Sequence, residues 1–179
     1  YGIGFFGAGV SWVYVSIHQF GAAPFWLAGL LTLLFVAAIA LFFALHIGLY
    51  QWLITTPNRS QHWRTLLGFP AVWVLAEWFR SWFLTGFPWN LLGYGPMDSW
   101  LHGWAPVTGV YGLSFATALA TSALYLLLLQ PNIRTRWAIA SAITLPATIG
   151  LGLDQISWTQ PSQTPALRIA MIQGNTPQN

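Results

Sequence analysis

An all-α fold that crosses a membrane several times is predicted by three features of this 179-residue sequence. Charge is scarce: 5% of the residues are charged and 56% are hydrophobic, where an ordinary soluble domain carries about 25% charged residues. Six basic side chains, all of them Arg, and three acidic ones cannot coat a soluble fold, whereas a lipid-facing surface needs no such coat. The apolar residues also come in long runs, and the mean hydropathy is +0.59. Finally, there are twelve Trp and six Tyr, rings that gather where lipid meets water.

The runs divide into about five spans within residues 1–153. The first covers roughly 3–20. The second, 24–54, holds no ionisable side chain besides His46 and Tyr50. At about 1.5 Å per residue it measures about 45 Å, so it must tilt or protrude from the bilayer. The third covers 66–85, the fourth 107–129, and the fifth 137–153, which is shorter and carries Pro146. A span needs roughly 20 residues to cross the hydrocarbon core.

The loops set an orientation. Arg59 and Arg64 lie between the second and third spans, and Arg134 and Arg136 between the fourth and fifth. Two spans separate these loops, so they share a side. The intervening loop, 86–106, has Asp98 and no basic residue except His102. The excess of Arg places its side in the cytoplasm, and 86–106 and everything after Leu153 outside. Residues 154–166, rich in Gln, Ser, Thr and Pro, read as a linker. Leu167-Arg-Ile-Ala-Met-Ile172, closed by Gly174 and Asn175, reads as a buried strand. One strand cannot stand alone, so it is expected to open a soluble domain that begins over 167–179 and continues past Asn179. The chain starts at Tyr1 without a basic stretch ahead of an apolar core, so no signal peptide is expected, and both ends, Tyr1 and Asn179, are read as cuts.

Several classes are excluded. The pI of 9.7 rests on scattered Arg without a basic patch, so no nucleic-acid partner is expected. Without cysteine there is no disulfide framework, thiolate metal site or Cys nucleophile. His18, His46, His62 and His102 lack ligand spacing, and no metal or cofactor is expected. Gly2, Gly4 and Gly7 satisfy a dinucleotide fingerprint but sit in an apolar span, with Gly9 close by; small residues for close helix packing explain them better. Gly112-Leu-Ser114-Phe-Ala116 resembles a nucleophile elbow but has no strand before it. The Asn58-Arg-Ser60 sequon lies on the cytoplasmic side, where it has no meaning.

Two candidate features remain. Glu77 and Arg80, three residues apart, share one helix face inside the third span. An uncompensated charge there costs roughly 2.5–3.5 kcal/mol on insertion scales. The pair reads either as self-neutralising helix glue or as a polar floor beneath a lipid cavity. The outward loop Leu84-Thr-Gly-Phe-Pro-Trp-Asn-Leu-Leu-Gly-Tyr-Gly95 is dense in Gly, Pro and aromatics. Phe87, Pro88, Trp89 and Tyr94 are candidate substrate-binding residues at headgroup depth; the plainer reading is an aromatic belt.

Blocks along the chain resemble one family. Phe5-Phe-Gly-Ala-Gly-Val-Ser-Trp-Val-Tyr-Val-Ser16, Glu77-Trp-Phe-Arg-Ser-Trp-Phe-Leu-Thr-Gly-Phe-Pro-Trp89, Gly109-Val-Tyr-Gly112 and Ile169-Ala-Met-Ile-Gln-Gly-Asn-Thr-Pro-Gln178 are similar, in this order, to segments of the apolipoprotein N-acyltransferases. The resemblance implies an eight-helix inner-membrane domain with a periplasmic αββα nitrilase-like domain inserted before the last helix. This chain would be a fragment holding the third to seventh helices and the first nitrilase strand. The family moves an acyl chain from a phospholipid to the N-terminal amine of diacylglyceryl-cysteine in apolipoproteins, through a Glu, a Lys and a Cys of the nitrilase domain. The resemblance places those three residues beyond Asn179. With neither Lys nor Cys here, no catalytic residue is assigned, and the fragment alone is expected to be inactive. The rival reading, part of a transporter or a scaffold, would place Glu77 and Arg80 on a permeation path, but no inverted repeat or paired broken helices support it.

Overall fold

The computed structural model describes residues 1–54, 61–160 and 170–173. Within them the regular structure is entirely helical. Helix α1 (Gly2–Gly9) and the single turn α2 (Trp12–Val15) are followed by a π-helical turn, Ser16–Phe20. Helix α3 (Phe25–Ile54) is the longest. The short α4 (Gln61–Trp63) runs through a second π turn, Arg64–Gly68, into α5 (Phe69–Trp82). The 86–106 loop contains 3₁₀ turns at Leu92–Asp98 and His102–Trp104. Helices α6 (Ala105–Leu129) and α7 (Ile133–Leu153) complete the described fold.

Three helical stretches are long and apolar enough to cross a membrane: Phe25–Leu53, His102–Leu129 and Ile133–Leu153. The five spans expected from hydropathy are therefore not all matched. The first is interrupted at Val10 and Ser11, where the α-helical ladder stops and restarts. The third is helical over Gln61–Trp82, but it contains a π turn and carries Arg64, Glu77 and Arg80. No strand occurs among the described residues. The expected strand falls partly outside them (167–169), and Ala170–Gln173 carry no regular structure. Arg59 and the Asn58-Arg-Ser60 sequon also lie outside the described residues, as do 161–166 of the expected linker. So does the stretch from Gly174 to Asn179, the residue beyond which the family's Glu, Lys and Cys are expected.

Local chemistry explains the boundaries. Pro24, which has no N–H to give to a helical ladder, opens α3 by accepting at its carbonyl from the N–H groups of Leu27 and Ala28, both at 3.0 Å. Helix α7 begins four residues before its expected start, because Asn132 caps it: its side-chain oxygen accepts from the Arg134 N–H at 2.9 Å. Helix α6 kinks at Gly109, whose φ of 62° favours glycine. Along the apolar helices, Thr32, Thr117 and Thr121 donate to carbonyls one turn back at 2.8–2.9 Å. Such bonds spare a hydroxyl an unpaired existence in hydrocarbon.

Two cores form. Leu66, Leu119, Ala123, Leu126 and Ile139 join the start of the α5 run to α6 and α7. Phe6, Val10, Val36 and Ile39 join α1 to α3, with Phe87 of the 86–106 loop packed against them. Leu30, Leu33, Leu34, Leu41, Leu45 and Trp52 of α3 are exposed, the inverse of a soluble helix and what a lipid-facing helix requires. Of the clustered glycines in α1, Gly2 lies close against Ala40 and Phe43 of α3, and Gly9 against Asn90 of the loop. Gly4 and Gly7 face open space, so only two of the four serve close packing.

Candidate functional site

Helix α5 ends at Trp82, three residues before the expected limit of the span. The chain then passes through left-handed backbone at Leu84 (φ 50°), Thr85 (φ 82°) and Gly86 (φ 83°). Such a run is sterically costly for the two non-glycine residues and persists only where the surroundings impose it. The chain just beyond this run is held by Glu77 and Arg80. Both are buried, each 6% exposed. They do not form the direct ion pair that their spacing suggests; the described residues pair His102 with Asp154 instead. Each is bound to the loop. Arg80 Nη1 donates to the carbonyl of Phe87 at 2.6 Å and to that of Trp89 at 2.7 Å. Glu77 Oε1 accepts from the Leu92 N–H at 2.6 Å and from Trp73 Nε1 at 3.0 Å. The guanidinium also sits 5.2 Å from the centre of the Phe6 ring, a cation–π distance. The two charges thus act as hydrogen-bonding posts for irregular backbone, which is tolerated at membrane depth only when its polar groups are satisfied within the protein.

Other residues complete the clamp. Ser114, fully buried on α6, accepts from the Gly93 N–H at 2.8 Å. It belongs to the sequence that resembled a nucleophile elbow, and its hydroxyl is committed to the loop. Gly93 lies against the Val110 carbonyl and the Ser114 backbone so closely that a Cβ there would collide with both. Tyr111 of α6 donates to Ser81 Oγ at 2.8 Å. Neither Gly93 nor Ser114 was identifiable as a partner from the sequence, because the contact bridges 21 residues.

Three of the four candidate binding residues, Pro88, Trp89 and Tyr94, are brought to one rim. Phe87 and Trp89 stack, with centres 5.3 Å apart and planes at 24°. Phe87 also meets Phe35 of α3 edge-on at 5.1 Å, and Trp89 lies 5.9 Å from Trp12. Trp89 and Tyr94 are about half exposed, at 49% and 54%. Pro88, Trp89 and Tyr94 line an open groove of about 900 Å³, whose opposite wall includes Phe5, Ala8 and Gly9 of α1. Phe87 lies behind the groove in the α1–α3 core. A second apolar groove, of about 910 Å³, runs between α3 and the α5–α6 face past Ala40, Phe43, Trp73 and Ala118. At the far end of the loop, His102 Nε2 lies 2.6 Å from the Asp154 carboxylate, and Trp104 Nε1 donates to the Pro146 carbonyl at 2.8 Å. These contacts fasten the loop to the C-terminal part of α7.

Long apolar helices, lipid-facing side chains and an irregular loop held by buried charges define an integral membrane protein with an apolar groove at its loop-bearing end. A family model described as the apolipoprotein N-acyltransferase N-terminal domain matches residues 1–124. Three proteins named apolipoprotein N-acyltransferase are similar to nearly the whole chain. That of Coxiella burnetii is 43% identical over 175 residues, covering 98% of this chain and 36% of its own length. That of Pseudomonas syringae pv. tomato is 46% identical over 181 residues, covering 100% and 35%. That of Azotobacter vinelandii is 45% identical over 184 residues, covering 100% and 34%. The chain belongs to the apolipoprotein N-acyltransferase N-terminal domain family, and it spans about a third of the length of these relatives.

Proposed function

We propose that this chain is part of the membrane domain of an enzyme that moves an acyl chain from a phospholipid to the N-terminal amine of diacylglyceryl-cysteine in apolipoproteins. Family membership is the observation that carries the reading. In it, residues 1–153 form five passes through a bacterial inner membrane, with the interrupted α1–α2 segment and the charged α4–α5 segment each counted as a pass. Arg64, Arg134 and Arg136 flank the cytoplasmic ends. The 86–106 loop and the end of α7 face the periplasm, 154–166 is a linker, and 167–179 begins a nitrilase-like domain. The chemistry belongs to the part of that domain beyond Asn179. A carboxylate activates a thiol, a thioester divides one hard transfer into two steps, and a cation stabilises the oxyanion. This chain supplies lipid access.

The groove between α1 and the loop supports that role. It is apolar, open, and rimmed by Trp89 and Tyr94. Rigid aromatic rings bury large area at little rotamer cost, which suits guiding an acyl chain from the bilayer toward a thiol beyond the membrane surface. Glu77 and Arg80 lie beneath the loop with their polar atoms turned to its backbone, so they support the rim and do not reach a scissile ester. In the full-length protein, Trp89→Ala is expected to slow thioester formation from phospholipid while expression and melting stay near wild type. Unchanged thioester formation would limit Trp89 to packing.

A further inference from the structure

Beneath the loop, between α3 and α5, lies a small cavity of about 20 Å³ bordered by Phe6, His46, Trp73, Glu77, Arg80 and Asn90. Two buried polar atoms have no protein partner there, His46 Nε2 and Glu77 Oε2. Their chemistry restricts what can satisfy them. His46 Nδ1 lies 3.1 Å from the Phe42 carbonyl. A carbonyl only accepts, so Nδ1 carries the proton, and in a neutral ring Nε2 is then an acceptor. Glu77 Oε1 accepts from the Leu92 and Trp73 N–H groups, and a carboxylate offers only acceptors at its second oxygen too. Two acceptors cannot bond each other. What joins them must donate twice and fit a space for one small molecule.

We infer that this cavity is a binding site for a single ordered water, which donates one proton to His46 Nε2 and the other to Glu77 Oε2. The volume meets the roughly 10–15 Å³ that one water needs, and a buried water commonly has about three partners. Arg80 and Asn90, which border the same space, bring N–H donors for the water's lone pairs. The water connects α3 to the loop. It fixes one Glu77 oxygen so that the other stays aimed at the Leu92 N–H. His46 is therefore a positioning residue for a loop that it does not touch.

Radiolytic footprinting of the full-length protein in lipid nanodiscs tests this, because radicals formed from bound water oxidise the side chains beside it. Phe6 is the reporter. It is 3% exposed and borders this cavity but neither groove. Expected are oxidation of Phe6 and slower incorporation of ¹⁸O from mixed-in H₂¹⁸O than at exposed Trp52. His46→Leu removes one acceptor without changing a charge, and Phe6 oxidation should then fall to background. Glu77→Gln is the weaker variant, since it can unfold the protein. Absence of Phe6 oxidation in the wild type overturns the site. Equal oxidation in wild type and His46→Leu overturns the bridge.

Discussion

Arg80 and Phe87 are joined twice. The Arg80 guanidinium donates to the Phe87 carbonyl at 2.6 Å, and the Phe87 N–H donates back to the Arg80 carbonyl at 2.9 Å. The two bonds close a ring across the end of α5 and turn the chain back over its own helix. A charged donor strengthens the first of them, in surroundings where water does not compete.

Loss of Arg80 should therefore cost more than loss of a typical membrane-helix side chain. Arg80→Met keeps the length but abandons the carbonyls of Phe87 and Trp89 and leaves Glu77 uncompensated. A destabilisation on the order of 1.5–3 kcal/mol is expected from the lost charge-assisted hydrogen bonds, read as a lower melting temperature of the full-length protein and as faster proteolysis within 84–95. Unchanged proteolysis would mean that the left-handed stretch holds its own shape.

The coupling between Glu77 and Arg80 runs through shared backbone. Combining Glu77→Gln with Arg80→Gln should give losses that do not add, with an interaction of about 0.5–3 kcal/mol, although no ion pair links them. The same non-additivity should appear between Arg80→Gln and Ser114→Ala, because Ser114 holds the next part of the same loop. Additive losses in both cycles would mean that the loop is not one cooperative unit.

Gly93 and Ser114 test the clamp from α6. Ser114→Ala leaves a buried N–H without its acceptor, a cost of about 1–3 kcal/mol. Gly93→Ala pushes a methyl group into the Val110 carbonyl and should cost about the same. Both changes should also disturb the Trp89 ring, visible as a shift in tryptophan emission relative to a Trp89→Phe control. Wild-type emission together with lost stability would separate the clamp from the rim.

Topology is tested with single cysteines, since the sequence has none. Met97→Cys in the 86–106 loop and Pro131→Cys between α6 and α7 are both at exposed positions. In the full-length protein with any other cysteines accounted for by a control, a membrane-impermeant maleimide should label Met97→Cys in intact spheroplasts, and Pro131→Cys only after lysis. Labelling of both from outside would reverse or abolish the orientation drawn from the Arg loops.

Much of this was legible in the sequence, for physical reasons. Charge poverty requires a lipid environment, and an uninterrupted apolar run such as Phe25–Ile54 has only one way to satisfy its backbone there. Glu77 and Arg80 stood out because charge is costly at that depth. Their partners were hidden, since i and i+3 spacing points to a local pair, whereas the bonds run to backbone groups seven to fifteen residues on. Hydropathy also missed the interruption at Val10–Ser11 and the π turn at Arg64–Gly68, because averaging over a window erases hydrogen-bond register. Helix α7 starts early because Asn132 caps it, a polar side-chain bond that an apolar average does not weigh.

The tie between the loop and α5 also bears on traffic. Lifting the loop away would strip Arg80 of two acceptors and Glu77 of a donor at once. The loop is thus a fixed sill and not a lid. Whatever occupies the groove beside Trp89 must come and go sideways, between α1 and the loop's outer edge.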